Sequence, residues 1–288
     1  MEQINCPACC NQQFKHVLTG QDNINHKEIV KYYPETYTPY HPNFKQSVRI
    51  ALFRKQHPII YNFIDPQHNL DLQSRKTKNK VLEVGCGSGN FIFELKTLHP
   101  QWEISGSDIS KTNIDILKKH KIDAFVSDLT KIPKKTNYFD LIYGWMVIEH
   151  VHNLHTALSE IHRVLKKKGV LCISIPNASS WEFTFFKKYW HGLHLPNHLY
   201  HFTPKSISNI LKINGFQVKK IIFQKNFSNV FSSVQIYINN SRLPKKLKLL
   251  LTKILKWNIF YHCLTLPVAY ILSLCKQSGR MTVIAIKK

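Results

Sequence analysis

Three glycines at alternate positions, Gly85, Gly87 and Gly89, follow the apolar residues Val81, Leu82 and Val84 in the stretch VLEVGCGSGN, residues 81–90. Glycine reaches positive φ and has no Cβ, so such a backbone can turn sharply and come close to a ligand. Phe91, Ile92, Leu95 and Leu98 then recur at helical spacing. A strand, a glycine turn and a helix form the first half of a βαβ nucleotide site. No Gly-Lys-Ser/Thr follows, which excludes a P-loop, and the spacing G-x-G-x-G departs from the dinucleotide pattern G-x-G-x-x-G. Asp108 stands nineteen residues after Gly89, near the end of WEISGSDIS. A carboxylate there can accept hydrogen bonds from both hydroxyls of a ribose, which NAD and S-adenosylmethionine share.

Histidine is the second residue type with chemical potential. The chain has sixteen, including His150 in VIEHV and His191, His194, His198 and His201 in YWHGLHLPNHLYHFT. Gly192 and Pro196 interrupt the helix needed to align these four as metal ligands, and no acidic residue accompanies them. No metal is therefore expected, and the stretch reads as a lid with His198, Tyr200 and His201 facing inward. Cys6 and Cys9 in CPAC are half of a four-ligand zinc site, and no second C-x-x-C pair appears. Cys10, His16 and His26 could complete a distorted site; the preferred reading is a shortened ribbon without metal.

The elements that must position these residues follow in order. Strands are expected at 81–84, 102–108, 123–129 (ending near Asp128), 139–145 and 170–177. The helix HTALSEIHRVLKKKG is expected to close at Gly169 as a C-terminal cap. Thr203 should cap a helix with Pro204 at its first position, closed by Gly215. FQVKKIIF, residues 216–223, and MTVIAIKK, residues 281–288, complete seven strands.

The ordered set VLEVGCGSGN, GSDIS, VSDL, FDLIYGWMVIEHV, IHRVLKKKGVLCISIPN and PNHLYHFTPKSI resembles a class I S-adenosylmethionine-dependent methyltransferase, in the branch similar to ubiquinone-pathway O-methyltransferases. The resemblance covers roughly residues 79–224 plus the last strand. It implies an α/β fold: a Rossmann-like seven-stranded sheet with helices on both faces, an N-terminal extension, and a helical apolar insert before the last strand. It also implies S-adenosylmethionine as cofactor. Glu83, Gly85, Cys86, Gly87 and Gly89 match the loop around its methionine and ribose parts. Asp108 matches the ribose acid, Ile109 lies beside the adenine, Asp128 and Leu129 match the adenine-edge pair, and Trp145 matches a contact to the methionine portion. Ser107 departs from the usual apolar residue before the ribose acid. His150 falls at the boundary between cofactor and acceptor; with His198 and His201 it is the candidate for the catalytic or acceptor side. Glu149 reads as a helix-end or cofactor-side hydrogen-bonding group.

At 288 residues and 43% hydrophobic the chain has room for one large α/β domain plus additions. The division expected is an N-terminal extension at 1–45, a core at 46–225 opening on an amphipathic helix at 46–64, an insert at 226–280, and the last strand at 281–288. Seven irregularly spaced cysteines show no disulfide framework, and MEQINCPACC lacks an apolar leader, so a reducing cytosol is expected.

Charge is distributed unevenly. All 17 acidic residues lie at or before Glu182, while the segment from Phe183 to Lys288 carries 17 Lys and Arg. So one-sided a run points to an anionic partner. Within it, LPKKLKLLLTKILK places Leu247, Leu250, Leu251, Ile254 and Leu255 on one helical face, and residues 257–275 run nineteen positions without a charge. A transmembrane span there would put the last strand on the wrong side of the bilayer, away from its hairpin partner. Two readings stay open for 243–276: a buried helical cap, or attachment to an anionic membrane surface.

The function expected is methylation of a small, lipid-linked or glycan acceptor, most readily at oxygen. A nucleic-acid methyltransferase is the alternative, favoured by charge alone. Tyr143-Gly144-Trp145-Met146 stands where amino-methylating enzymes of that type carry Asp/Asn-Pro-Pro-Tyr/Phe, and no Pro-Cys nucleophile is present. A protein that binds the cofactor without catalysis is the third reading.

Overall fold

A computed structural model describes residues 2–5, 12–15, 78–195, 197–225, 228–255 and 267–288. In chain order the elements are β1 (Glu2–Asn5), β2 (Gln12–Lys15), β3 (Lys80–Val84), α1 (Asn90–Leu98), β4 (Glu103–Asp108), α2 (Lys111–Lys119), β5 (Asp123–Val126), β6 (Phe139–Trp145), α3 (Leu154–Val164), β7 (Leu165–Pro176), α4 (Trp181–Phe186), β8 (Tyr200–His201), α5 (Pro204–Ile213), β9 (Phe216–Phe223), α6 (Ser228–Asn240), α7 (Lys245–Leu255) and β10 (Arg280–Lys287).

Seven strands form one sheet in the order β5-β4-β3-β6-β7-β10-β9. β3 to β7 pair in parallel, and β10 enters antiparallel between β7 and β9. β3 lies inside the sheet between β4 and β6 with both faces covered, which is why its sequence is almost continuously apolar. One face packs Leu158 and Ile161 of α3 and Ile207 and Leu211 of α5. The other packs Ile92 and Leu95 of α1 and Ile114 and Leu117 of α2. From β3 the chain winds outward to β4 and β5 and then returns to β6 on the other side. The C-terminal ends of β3 and β6 therefore flank the switch point where such sheets bind ligands.

Local signals explain most boundaries. Gly89, at φ 78, precedes α1, and Ser110 caps α2 by accepting from the Asn113 N–H. Thr203 and Ser206 form a reciprocal capping box on α5 with Pro204 in the first turn, and Gly215 leaves that helix at φ 84. Two expectations are corrected. α3 ends at Val164, not at Gly169, because Leu165 already pairs with Phe139 in the sheet; the left-handed residue beyond it is Lys168, at φ 62. The third core strand stops at Val126, and Ser127 to Thr130 form a turn in which the Ser127 hydroxyl accepts from the Leu129 N–H.

β1 and β2 form an antiparallel hairpin whose second strand pairs with β8, Gln12 opposite His201 and Gln13 opposite Tyr200. Cys6, Cys9, Cys10, His16, His26, the expected helix at 46–64 and residues 256–266 lie outside the described residues. Of the expected insert, α6, α7 and a helical run at 267–274 are described. Among the described residues no helix is long and apolar enough to cross a membrane.

Candidate active site

The site is built on the turn that leaves β3. Gly85, Gly87 and Gly89 all have positive φ, at 62, 52 and 78. At Gly85 a Cβ would also collide with Val147, and at Gly89 with Leu117, so both positions need glycine for space as well as conformation. The loop is tied to β4 twice. The Cys86 N–H donates to the Ser107 carbonyl at 3.0 Å, and the Gly87 N–H donates to Asp108 Oδ2 at 2.9 Å. Asp108 Oδ1 accepts from the Ser110 N–H at 2.8 Å and from Asn113 Nδ2 at 3.4 Å. The buried Asp108 is thus a fastener for the glycine loop as well as the expected ribose acceptor, a second role that spacing alone did not reveal. Ser107 is fully buried, and its hydroxyl reaches toward the Glu83 carbonyl at 3.5 Å. Its small side chain fits the sheet.

Glu83 is buried at the end of β3. Burial, and secondarily the nearby Asp108 charge, raise its carboxyl well above the usual range, and the Tyr143 hydroxyl donates to Oε2 at 3.2 Å. Burial also raises the Cys86 thiol, so it is a packing residue rather than a nucleophile. Trp145 ends β6 and meets Phe91 edge-on, with ring centroids 5.8 Å apart. Beyond Asp108, Ile109 is 48% exposed. Asp128 is exposed at the end of the next turn, where Oδ1 accepts from the Thr130 N–H at 2.9 Å, and Leu129 is buried at φ 70.

S-adenosylmethionine fits this arrangement. The Ser88 hydroxyl is buried in the loop with no partner among the described residues, so it is free to meet a ligand. Asp108 keeps lone-pair capacity beyond its three donors. Ile109 offers an exposed apolar surface for an adenine face, with Asp128 and Leu129 on the adjoining strand end. Glu83 and Trp145 are the residues expected at the methionine portion.

The side expected to face the acceptor begins with Met146, held at φ 56, and runs through a 3₁₀ turn, Ile148–His150. The lid segment is clipped onto this turn. Leu199 N–H donates to the Glu149 carbonyl at 2.8 Å, and the Tyr200 hydroxyl donates to the His152 carbonyl at 3.1 Å. His150 Nδ1 lies 3.0 Å from the Asn197 carbonyl, His198 Nδ1 lies 2.8 Å from the Gly192 carbonyl, and His201 Nε2 lies 3.1 Å from the Leu193 carbonyl. A carbonyl only accepts, so each of these nitrogens carries the proton and the other ring nitrogen is the acceptor. The His150 and His198 rings are 4.6 Å apart. Burial pushes His150 and His201 down to about 4 and His198 well below its ordinary value, so all three are neutral near pH 7.

The structure brings His150 and His198 together; the His201 ring lies 6.3 Å beyond His198. It also brings in an acid that the local sequence around the four lid histidines lacks. Glu149 is fully buried, and one of its carboxylate oxygens, one ring nitrogen of His150 and one of His198 all lie within 4.8 Å of one another. Among the described residues no other residue donates a hydrogen bond to either Glu149 oxygen, and burial raises its pKa to about 8. The half-buried Arg280 acts through its charge on both Glu149 and Glu182. Glu182 accepts from the Gly279 N–H at 3.1 Å, and burial raises it to about 7. Arg280 and Glu182 were not singled out by the sequence; they sit at opposite ends of the acid-free run, and no local spacing links them. A cavity of 500 Å³ lined by Lys78, Trp102, Glu103, Asp123 and Tyr138 opens at the other, N-terminal end of the strands, away from this chemistry.

A family model described as a methyltransferase domain matches residues 60–221, more than half of the chain. The chain is 29% identical over 178 residues to a ubiquinone biosynthesis O-methyltransferase of Pelagibacter ubique, covering 57% of this chain and 70% of that protein. It is 29% identical over 170 residues to a demethylmenaquinone methyltransferase of Thermotoga maritima, covering 54% of this chain and 74% of that protein. Other matches cover as little as 34% of the relative's length. Among solved structures, a sarcosine dimethylglycine methyltransferase from Galdieria sulphuraria superposes with a TM-score of 0.54 at 14% identity, covering 86% of this chain and 89% of that one. At that identity the likeness speaks for the fold.

Proposed function

The chain belongs to the methyltransferase domain family, and from that premise we propose that it transfers a methyl group to a hydroxyl of a small, lipid-linked or glycan acceptor. It is a class I S-adenosylmethionine-dependent methyltransferase. When bound, S-adenosylmethionine supplies an electrophilic methyl group on a sulfonium whose thioether leaves without an acid. The chain's own part is to bind and orient. Asp108 and the glycine loop hold the ribose and methionine parts, Ile109, Asp128 and Leu129 the adenine, and Trp145 borders the reacting end. His150, His198 and His201 face the acceptor. The observation that carries this reading is the packing of the 146–150 turn directly on Gly85, with the histidine-bearing lid clipped to the same turn.

Magnitudes favour positioning over proton abstraction by His150 alone. An imidazole whose conjugate acid has a pKa of about 4 would take a proton from a phenol of pKa about 10 at a cost of about 8 kcal/mol. Orientation of two reactants can contribute about 7–11 kcal/mol. The family likeness to quinone-pathway enzymes supports a lipid-linked phenol or quinol. The test is methyl transfer from isotopically labelled S-adenosylmethionine to a panel of catechols, quinols and sugars, with products read by mass spectrometry. Label should appear as an O-methyl ether and vanish when the acceptor hydroxyl is masked. Transfer only to amines, only to carbon, or to nothing in the panel would overturn the hydroxyl reading.

A lipid-linked acceptor fits the character of the C-terminal helices. α7 leaves Leu247, Leu249 and Leu250 exposed beside Lys245, Lys246 and Lys253, and Ile271 and Leu274 are exposed on the later helical run. Leu249 at 60% and Leu274 at 65% exposure are poor candidates for a buried cap, which favours the membrane-surface reading of 243–276. Each lysine near an anionic surface contributes about 1 kcal/mol. The protein should sediment with phosphatidylglycerol-containing vesicles and much less with neutral ones. Salt should weaken attachment without abolishing it, because the apolar contribution is unscreened. The combined variant Leu247→Glu, Leu249→Glu, Leu250→Glu should stay in the supernatant and still bind cofactor. Indifference to anionic vesicles sinks the membrane reading, and nucleic-acid binding with a steep salt slope in its place would favour a nucleic-acid acceptor.

A further inference from the structure

We propose that Glu149, His150 and His198 form a binding site for a divalent transition-metal cation, one imidazole–carboxylate centre shared between the 3₁₀ turn and the lid. One potential ligand atom from each residue lies within 4.8 Å of the others. In a tetrahedral zinc site neighbouring ligand atoms are about 3.4 Å apart, so closure by about an ångström completes the set.

Three observations point to a cation rather than to packed polar side chains. Both Glu149 oxygens are buried with no hydrogen-bond donor from another described residue, only the Arg280 charge acts on them, and a buried carboxylate so poorly satisfied is costly unless a cation or a proton meets it. His150 and His198 each fix Nδ1 on a backbone carbonyl, of Asn197 and Gly192. That is the outer-shell pattern that fixes the tautomer and aims the other nitrogen at a metal. The two imidazoles come from segments held together by the Leu199 to Glu149 backbone bond, so the centre is braced on both sides. Two imidazoles and one carboxylate suit zinc, cobalt, manganese or ferrous iron and leave coordination positions open. The half-buried His194 ring is 5.0 Å from His198 and is one group able to fill such a position. Glu149 and Glu182 share the Arg280 charge, which limits repulsion of the cation.

The ion would join the lid to the turn, and an acceptor hydroxyl placed on an open position would be oriented and acidified. That consequence rests on the acceptor-side reading above; the binding site itself does not. It would meet the deficit left by His150 as a base.

The experiment is titration of chelator-treated full-length protein with Co²⁺, followed by visible absorption and by metal content after desalting. The same titration is run on the Cys6→Ser, Cys9→Ser variant, because those thiolates could also take the ion. The expected result is one Co²⁺ per chain in both proteins, without the intense near-ultraviolet band of thiolate ligation, and displaced by Zn²⁺. His198→Ala and Glu149→Gln should each weaken Co²⁺ binding by at least about 100-fold. Their affinity for S-adenosylmethionine should be unchanged, which reports an intact fold. Loss of Co²⁺ in the cysteine variant, no stoichiometric binding at all, or unaltered binding in both site variants would overturn the proposal. Co²⁺ binding without hydroxyl methylation would leave the metal site standing and the acceptor reading refuted. Methylation that survives complete metal removal, with no Co²⁺ uptake, would do the reverse.

Discussion

Replacing His150 with alanine lowers the methyl-transfer rate by about 10²–10⁴-fold while the dissociation constant for S-adenosylmethionine stays within about twofold. The asymmetry follows from where the residue sits. His150 is on the far side of the 3₁₀ turn from the glycine loop, with Nδ1 held by the Asn197 carbonyl and its ring against His198. Its loss removes an oriented group from the acceptor side and loosens the seat of the lid, while the tie between Gly87 and Asp108 is untouched. Misplacing reacting groups by about an ångström accounts for the lower end of the range. Loss of the orientation of the acceptor hydroxyl as well as of the lid extends it to the upper end. The check is single-turnover kinetics beside calorimetric cofactor titration. An equal loss of cofactor affinity would move His150 to the cofactor side, and an unchanged rate would transfer its role to His198 or His201.

Asp108→Ala acts on the other half of the site. Loss of a carboxylate expected to accept from the ribose hydroxyls should cost about 1.5–3 kcal/mol, a rise of about 10- to 150-fold in the dissociation constant. The structure adds a second effect. Asp108 also satisfies the N–H groups of Gly87 and Ser110, so alanine leaves buried donors unmet and should lower the melting temperature as well. Asp108→Asn separates the two. Its side-chain oxygen can keep one loop donor, but its amide cannot serve both ribose hydroxyls and the loop. Affinity should therefore fall further than stability. An unchanged dissociation constant in both variants would mean that the ribose is held elsewhere.

The cofactor half was legible in the sequence because its signals are local. Positive φ at Gly85, Gly87 and Gly89, the ends of β3 and β4, and the Thr203–Pro204 start of α5 each follow from a few adjacent residues. What misled was also local. LKKKG continues a helical pattern into a glycine, yet Leu165 is drawn into the sheet opposite Phe139, and tertiary pairing overrides propensity. The acceptor half could not be read this way. Glu149 gains its meaning from His198, and Arg280 from Glu149 and Glu182, through folding alone. The four lid histidines have no acid beside them in the sequence; folding brings Glu149 to His198.

The two halves also differ in the length of chain each must close. The Gly87–Asp108 bond closes a loop of 21 residues, whereas the lid strand β8 is completed by β2 across the span from Gln12 to His201. Loop entropy grows as the logarithm of length, so the second closure costs about 2 kcal/mol more than the first. Only two register pairs of that ladder repay it directly. A chain emerging from synthesis has made β1 and β2 long before their partner exists, while β3 and β4 can meet at once. Assembly thus runs from the glycine loop toward the lid, and the lid is the part of the molecule whose order is least secured by local chain.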